Sequence, residues 1–139
     1  MMALVVIDAS MALSFMFEDE GGDAARLVEL AERTYLLAPP NFRVEVVNAV
    51  AMAVRSGRID TDGGIAMLES FEAFEVMADP FVDAAPGETL RLSSRHRLTA
   101  YDAAYLELAR RMQVPIATLD ASLARAAALE GVAQVSLRN

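Results

Sequence analysis

The chain has 139 residues, 55% of them hydrophobic, and its 20 acidic against 12 basic side chains give a formal charge of −8. This length suits one domain with one core, its hydrophobicity excludes disorder, and no apolar run approaches the roughly 18–20 residues of a membrane span. There is no Cys and no Lys, which excludes disulfides, thiol nucleophiles, cysteine-ligated zinc, Schiff bases and a phosphate-loop lysine, and the single His96 cannot supply a two-His metal site.

Residues 3–7 are a continuous apolar run ending at Asp8, as expected of a strand covered on both faces in a parallel sheet. Ser10 is the expected N-cap of a first helix, and residues 22–33 carry apolar positions at helical spacing. A short strand follows at residues 35–38. Pro39 and Pro40 punctuate the chain, Asn41 opens a helix running to Arg55, and Gly57 stops it. Residues 61–73 read as a helix and residues 75–77 as a short strand, closed by Pro80. Pro86 opens a helix to Arg95, Thr99 caps another through Met112, residues 115–118 form a buried strand ending at Asp120, and a helix over 121–130 stops at Gly131. Residues 133–137 complete the pattern as a last strand. Apolar strands alternating with helices predict a three-layer α/β domain spanning residues 1–139. Its central sheet is expected to be mostly parallel, with four to five short strands flanked by helices. The opening stretch has neither a basic n-region nor a small-residue cleavage site, so a cytoplasmic protein without a secretory signal is expected.

Ligands of parallel sheets bind outside the carboxyl ends of the strands, where Asp8 and Asp120 fall. Each acid also has an ordinary structural use: Asp8 and Asp120 stand where N-caps stand, and Asp102 lies three residues after Thr99 in a capping-box pattern. Glu45 differs, because the helix around it is apolar in nearly every direction and is expected to be largely buried, so its carboxylate needs a partner. Asn48 at i+3 shares its face and Arg43 at i−2 does not. Two carboxylates about 4 Å apart repel by roughly 4 kcal/mol at an effective dielectric of 20. Four of them at one sheet edge therefore call for raised pKa values or a divalent cation, and oxygen ligands without Cys or paired His select Mg²⁺ or Mn²⁺.

Four blocks in chain order resemble the PIN-domain family, in particular the short VapC-type toxin ribonucleases of toxin–antitoxin pairs. They are V-V-I-D-A-S-M-A-L with Asp8, P-P-N-F-R-V-E-V-V-N-A-V with Glu45 and Asn48, L-T-A-Y-D-A-A-Y-L-E-L-A-R-R with Asp102, and V-P-I-A-T-L-D-A-S-L-A-R-A-A with Thr118 and Asp120. The resemblance implies a metal-dependent endoribonuclease with catalytic acids Asp8, Glu45, Asp102 and Asp120. Asp8, Asp102 and Asp120 would hold Mg²⁺ or Mn²⁺, and Ser10, Asn48 and Thr118 would support the carboxylates. It also implies a structured RNA substrate, a homodimer and a cognate VapB-like antitoxin. Some members carry a further acid after the fourth block, where this chain has Ala121 and Ser122, so the number of ions is left open.

Arg91, Arg95, Arg97, Arg110 and Arg111 flank the Asp102 block and offer either RNA contact or a solvated surface, to which His96 is assigned. Met11, Phe15, Met16, Phe17, Met67, Leu68, Phe71 and Phe74 are candidates for an exposed partner surface, about half of them expected in the core. Two other readings compete. A phosphoacceptor signalling module lacks here the lysine it uses to bind the phosphoryl group, and a catalytically silent PIN-like binding subunit is disfavoured by the presence of all four acids.

Overall fold

A computed structural model describes residues 2–17, 24–79 and 85–135. Strands β1 (Ala3–Ile7), β2 (Thr34–Ala38), β3 (Met77–Ala78) and β4 (Ile116–Ala117) form a fully parallel sheet in the order β3-β2-β1-β4. Helices α1 (Ala9–Met16), α2 (Ala24–Arg33), α3 (Phe42–Arg55), α4 (Thr61–Phe71), α5 (Pro86–His96), α6 (Ala100–Met112) and α7 (Ala121–Leu129) surround it. Successive residues of a strand point to opposite faces, and Val5, Val6 and Ile7 are all buried, so helices cover both sides of the sheet. The fold is therefore α/β with three layers, as expected. None of the described helices is long and apolar enough to cross a membrane.

Local chemistry explains the helix starts. The side chains of Asp8, Asp60, Thr99 and Asp120 accept from the backbone N–H of Met11, Gly63, Asp102 and Leu123, satisfying donors that the first turn leaves open. The first of these corrects the sequence reading, since Asp8 rather than Ser10 caps α1. α4 ends at Phe71 and tightens into a 3₁₀ turn over Glu72–Phe74, after which Glu75 adopts φ 52°. Glu75 and Val76 are therefore not strand, and β3 begins at Met77. The strand expected over 115–118 narrows to β4. The last expected strand reduces to one parallel bridge, Ile116 with Gln134, and residues 136–139 lie outside those described, as do Gly22 and Pro80. α3 and α4 approach closely at Gly64, where a Cβ would come within 2.9 Å of Val50 Cγ1.

The core takes up part of the candidate partner surface, about half of which was expected to be core. Met11, Phe17 and Phe71 are buried, and Phe15, Phe42, Phe71 and Phe74 stack into one aromatic cluster with ring centroids 4.8–6.1 Å apart along the chain of contacts. The helix around Glu45 departs from expectation in the other direction. Phe42, Val46, Val50 and Ala53 of α3 are buried, whereas Val44, Val47 and Met52 are exposed along the opposite side.

Beneath α6 lies an ion cluster the sequence did not suggest. Arg111 Nη2 contacts Asp79 Oδ2 at 2.6 Å, and its Nε bonds both oxygens of Glu107 at 2.9 and 3.0 Å. Both carboxylates are buried, so losing the shared cation would leave Glu107 a buried charge without its counter-ion and Asp79 without its ion pair to Arg111. Arg111→Ala is expected to cost on the order of 3 kcal/mol, read as a lower midpoint in urea unfolding; an unchanged midpoint would mean the cluster contributes nothing net.

Candidate active site

Asp8 is the residue next to the last paired position of the central strand. β1 and β4 run in register through Val6 with Ile116 and Ile7 with Ala117, so Asp8 emerges beside Thr118. Ser10 Oγ donates to Asp8 Oδ1 at 2.6 Å, and Thr118 Oγ1 donates to Asp8 Oδ2. The two hydroxyls in turn accept from backbone N–H groups of the β4–α7 loop, Ser10 from Leu119 at 2.9 Å and Thr118 from Asp120 at 3.0 Å. Asp8 is thus clamped between the β1–α1 and β4–α7 junctions, and its clamp positions Asp120.

Burial pushes the Asp8 carboxyl up to about 6; hydrogen bonds from Ser10, Thr118 and the Met11 N–H oppose the shift, and the charge of Asp120 adds to it. Asp102 is also raised, first by burial and then by Asp120, against a hydrogen bond from Thr99. Asp120 therefore stands within electrostatic reach of both. Its own Oδ1 caps α7 by accepting from Leu123 N at 2.9 Å.

Glu45 reaches the same edge from the start of α3. Its Oε2 accepts from Tyr105 Oη at 2.5 Å and from Asn41 Nδ2 at 2.7 Å. Asn48 has no bond to Glu45; its amide reaches Met52 Sδ at 4.0 Å on the exposed side of α3. The placement of Asn48 as a support for Glu45 is thus replaced by Asn41, one helical turn before the acid, and by Tyr105. Tyr105 follows Asp102 by three positions and so shares its face of α6. Burial, the bond to Glu45 and the charges of Glu45, Asp8 and Asp102 all raise the Tyr105 phenol, which keeps it protonated and able to donate. The spacing Y-D-A-A-Y was the available signal for this residue.

All four acids thus face one region from four elements. Their donor set, hard oxygens carrying mutually repelling charge, suits a divalent cation such as Mg²⁺. Among the described residues, however, no three acidic or imidazole side chains are gathered tightly enough to form a ready cage, and Asp8 and Asp120 are engaged with protein donors.

The arginines divide differently from the expectation. Arg91 and Arg110 bond Glu88 at 3.0 and 2.6 Å, Arg95 bonds Glu130 at 2.9 Å, and Arg111 is held by Asp79 and Glu107. Of that group only Arg97 has no carboxylate partner among the described residues, and Arg125 on α7, which the sequence reading passed over, has none there either. His96 is not a surface residue: its side chain is buried and its Nε2 lies 2.6 Å from Glu130 Oε2.

The raised Asp8 has a consequence for stability. Its folded value lies above its unfolded value of 3.8, so the stabilisation it provides is complete below about pH 4 and is lost as pH rises through 6. An uncharged asparagine at this position keeps the cap without that loss. Without added metal, Asp8→Asn should therefore gain on wild type by up to about 3 kcal/mol between pH 4 and pH 8 in chemical unfolding; parallel pH profiles would show that Asp8 ionises freely.

The PIN domain family model matches residues 5–129. Over 125 residues the chain is 32% identical to Ribonuclease VapC12 of Mycobacterium tuberculosis, covering 88% of this chain and 91% of that protein. It is 30% identical over 124 residues to Ribonuclease VapC3 of Pyrobaculum aerophilum, covering 88% and 93%. The crystal structure of PAE2754 from Pyrobaculum aerophilum superposes with a TM-score of 0.71 at 24% identity, covering 96% of this chain and 84% of that one, which supports the same fold. The chain belongs to the PIN-domain family and, within it, to the VapC-type proteins.

Proposed function

We propose that this single PIN domain is a metal-dependent endoribonuclease, the toxin of a VapBC-type pair, acting in the cytoplasm on phosphodiester bonds of RNA. The observation that supports the reading is electrostatic: Asp8 and Asp102 are both raised by burial and by the charge of Asp120, and Tyr105, bonded to Glu45, is raised by the charges of Asp8 and Asp102. The two relatives named as ribonucleases support the choice of substrate.

In this reading Asp8, Asp102 and Asp120 would hold Mg²⁺, for which Mn²⁺ could substitute. Such an ion supplies charge neutralisation at the phosphate and a more acidic water. Glu45, oriented by Tyr105 and Asn41, accepts the proton of the attacking water. Ser10 and Thr118 keep the Asp8 oxygens fixed, a supporting role that typically changes metal affinity or activity by about 10–100-fold. Asn48 makes no contact with the acids and is assigned to the exposed face of α3 instead.

That face also favours a partner. Val44, Val47 and Met52 form an exposed apolar stripe, and next to it a cavity of about 110 Å³ opens between α3 and α4, lined by Phe42, Val46, Leu68, Phe71 and Val76. We assign these surfaces to a homodimer and to a VapB-like antitoxin.

Total cellular RNA incubated with the purified protein and Mg²⁺ or Mn²⁺ should give discrete fragments that disappear with EDTA and in Asp8→Asn and Asp102→Asn. Glu45→Gln should slow cleavage by about 10²–10⁴-fold and Tyr105→Phe by roughly 10-fold. Absence of cleavage and of metal binding would favour the silent binding subunit; phosphorylation of Asp8 by a small phosphodonor would favour the signalling module.

A further inference from the structure

A cleft between the C-terminal end of α5 and α7 is lined by Arg95, Arg97, Ser122, Arg125 and Leu129, with His96 alongside. Among the described residues no acid lines it, in a chain with 20 acids against 12 bases. The carboxylate nearest in this network, Glu130, is already engaged by His96 at 2.6 Å, Arg95 at 2.9 Å and Arg110 at 3.6 Å. Burial resists its charge, yet His96 and Arg95 hold its carboxyl below the usual range. Arg97 and Arg125 are exposed and carry no ion pair among the described residues, whereas most other arginines are matched to an acid. Two exposed guanidiniums without an internal counter-ion on one concave surface leave it free to take an external anion.

The cleft adjoins the carboxylate centre through the backbone. Ser122 follows Asp120 by two residues in the first turn of α7, and Arg125 is one turn further on the same face as Ser122. Arg97 precedes by two residues Thr99, the cap of the helix that carries Asp102. Asp120 caps α7 and Ser122 and Arg125 lie in its first two turns, so a polyanion whose phosphate lay at the acids would have the cleft close by along the same helix. Arg97 is further set by its backbone: it ends α5 at φ 55°, its N–H bonded to Ser93 O, which turns the chain sharply where the cleft opens.

We propose that this cleft is a phosphate-binding subsite for the RNA strand, in which Arg97 and Arg125 position the backbone beside the bond held at the carboxylates. The inference rests on the ribonuclease reading. It also accounts for how a protein of charge −8 engages RNA: the attraction is confined to one surface that the internal ion pairs leave positive.

The test compares Arg97→Gln/Arg125→Gln with the charge-matched control Arg33→Gln/Arg55→Gln, whose positions lie outside the cleft. Gln is compatible with the backbone of position 97, since Gln113 ends α6 at the same φ of 55°. Fluorescence anisotropy with a labelled single-stranded RNA, on the Asp8→Asn background so that it is not cut, should show about tenfold weaker binding and a salt slope smaller by about 1.4 for the cleft variant only. With Asp8 intact, KM should rise while kcat stays within about twofold, and Arg97→Lys/Arg125→Lys should restore the slope. RNA binding and cleavage equal to those of the control would overturn the subsite while leaving the nuclease standing. A parent protein that neither binds nor cuts any RNA would overturn both.

Discussion

The structure depends on how a carboxylate is kept at the end of its central strand. Asp8 stands where β1 leaves the sheet, almost wholly out of water, and an uncompensated charge there would cost several kcal/mol by rough estimate. The fold meets that cost with Ser10, Thr118 and the Met11 N–H, drawn from the helix after β1 and the loop after β4. The same hydroxyls accept from Leu119 and Asp120, so the bonds that hold one acid also fix the backbone of the next. Stability and site geometry are therefore set by one network. Burial outweighs these donors, so the Asp8 carboxyl stays raised toward protonation, a direction a nearby cation would oppose.

Helix α6 joins this network to the rest of the molecule. Its first turn presents Asp102, its next presents Tyr105 to Glu45, and its last turn sends Arg111 to Asp79 and Glu107 and Arg110 to Glu88 and Glu130. Between these ends Ala103, Leu106, Leu108 and Ala109 are buried in the core. A helix pinned at both ends by ionic and hydrogen-bonded contacts has little freedom to slide, and this fixes the separation between Asp102 and the other acids. The same contacts sort the charges. Acids at the C-terminal end of α6 consume the arginines there and leave Arg97 and Arg125 open beside the N-terminal ends of α6 and α7.

The two faces of α3 show where pattern and structure part. An apolar sequence all around a helix axis admits two meanings: burial on every side, or burial on one side with the other left for a partner. The structure takes the second course, with Phe42, Val46 and Val50 inward and Val44, Val47 and Met52 outward. Conversely, phenylalanines that were candidates for a partner surface form an aromatic cluster, because Phe15 of α1 meets Phe71 and Phe74, more than fifty residues away, only once the helices pack.

By itself the sequence determined the elements and the identities of the acids, because those are written locally. Period 3.6 marks helices, short β-rich runs mark strands, and an Asp or Thr before a helical run marks its cap, so Asp8, Asp120 and Thr99 were legible as cap residues or their near neighbours. Four motifs in order at domain-filling spacing made the family legible as well. Short strand ends were less so: β3 and β4 shrink to two residues each, since a strand ends where its partner does, not where apolar residues stop. Only the tertiary structure decided who touches whom. Asn41 and Tyr105, not Asn48, hold Glu45; Glu130 pairs with a buried His96; and Arg125 joins Arg97. Asn41 with Glu45 is a local contact of one helical turn, but the others join elements tens of residues apart and depend on how the helices pack on the sheet, which no one segment of the chain encodes.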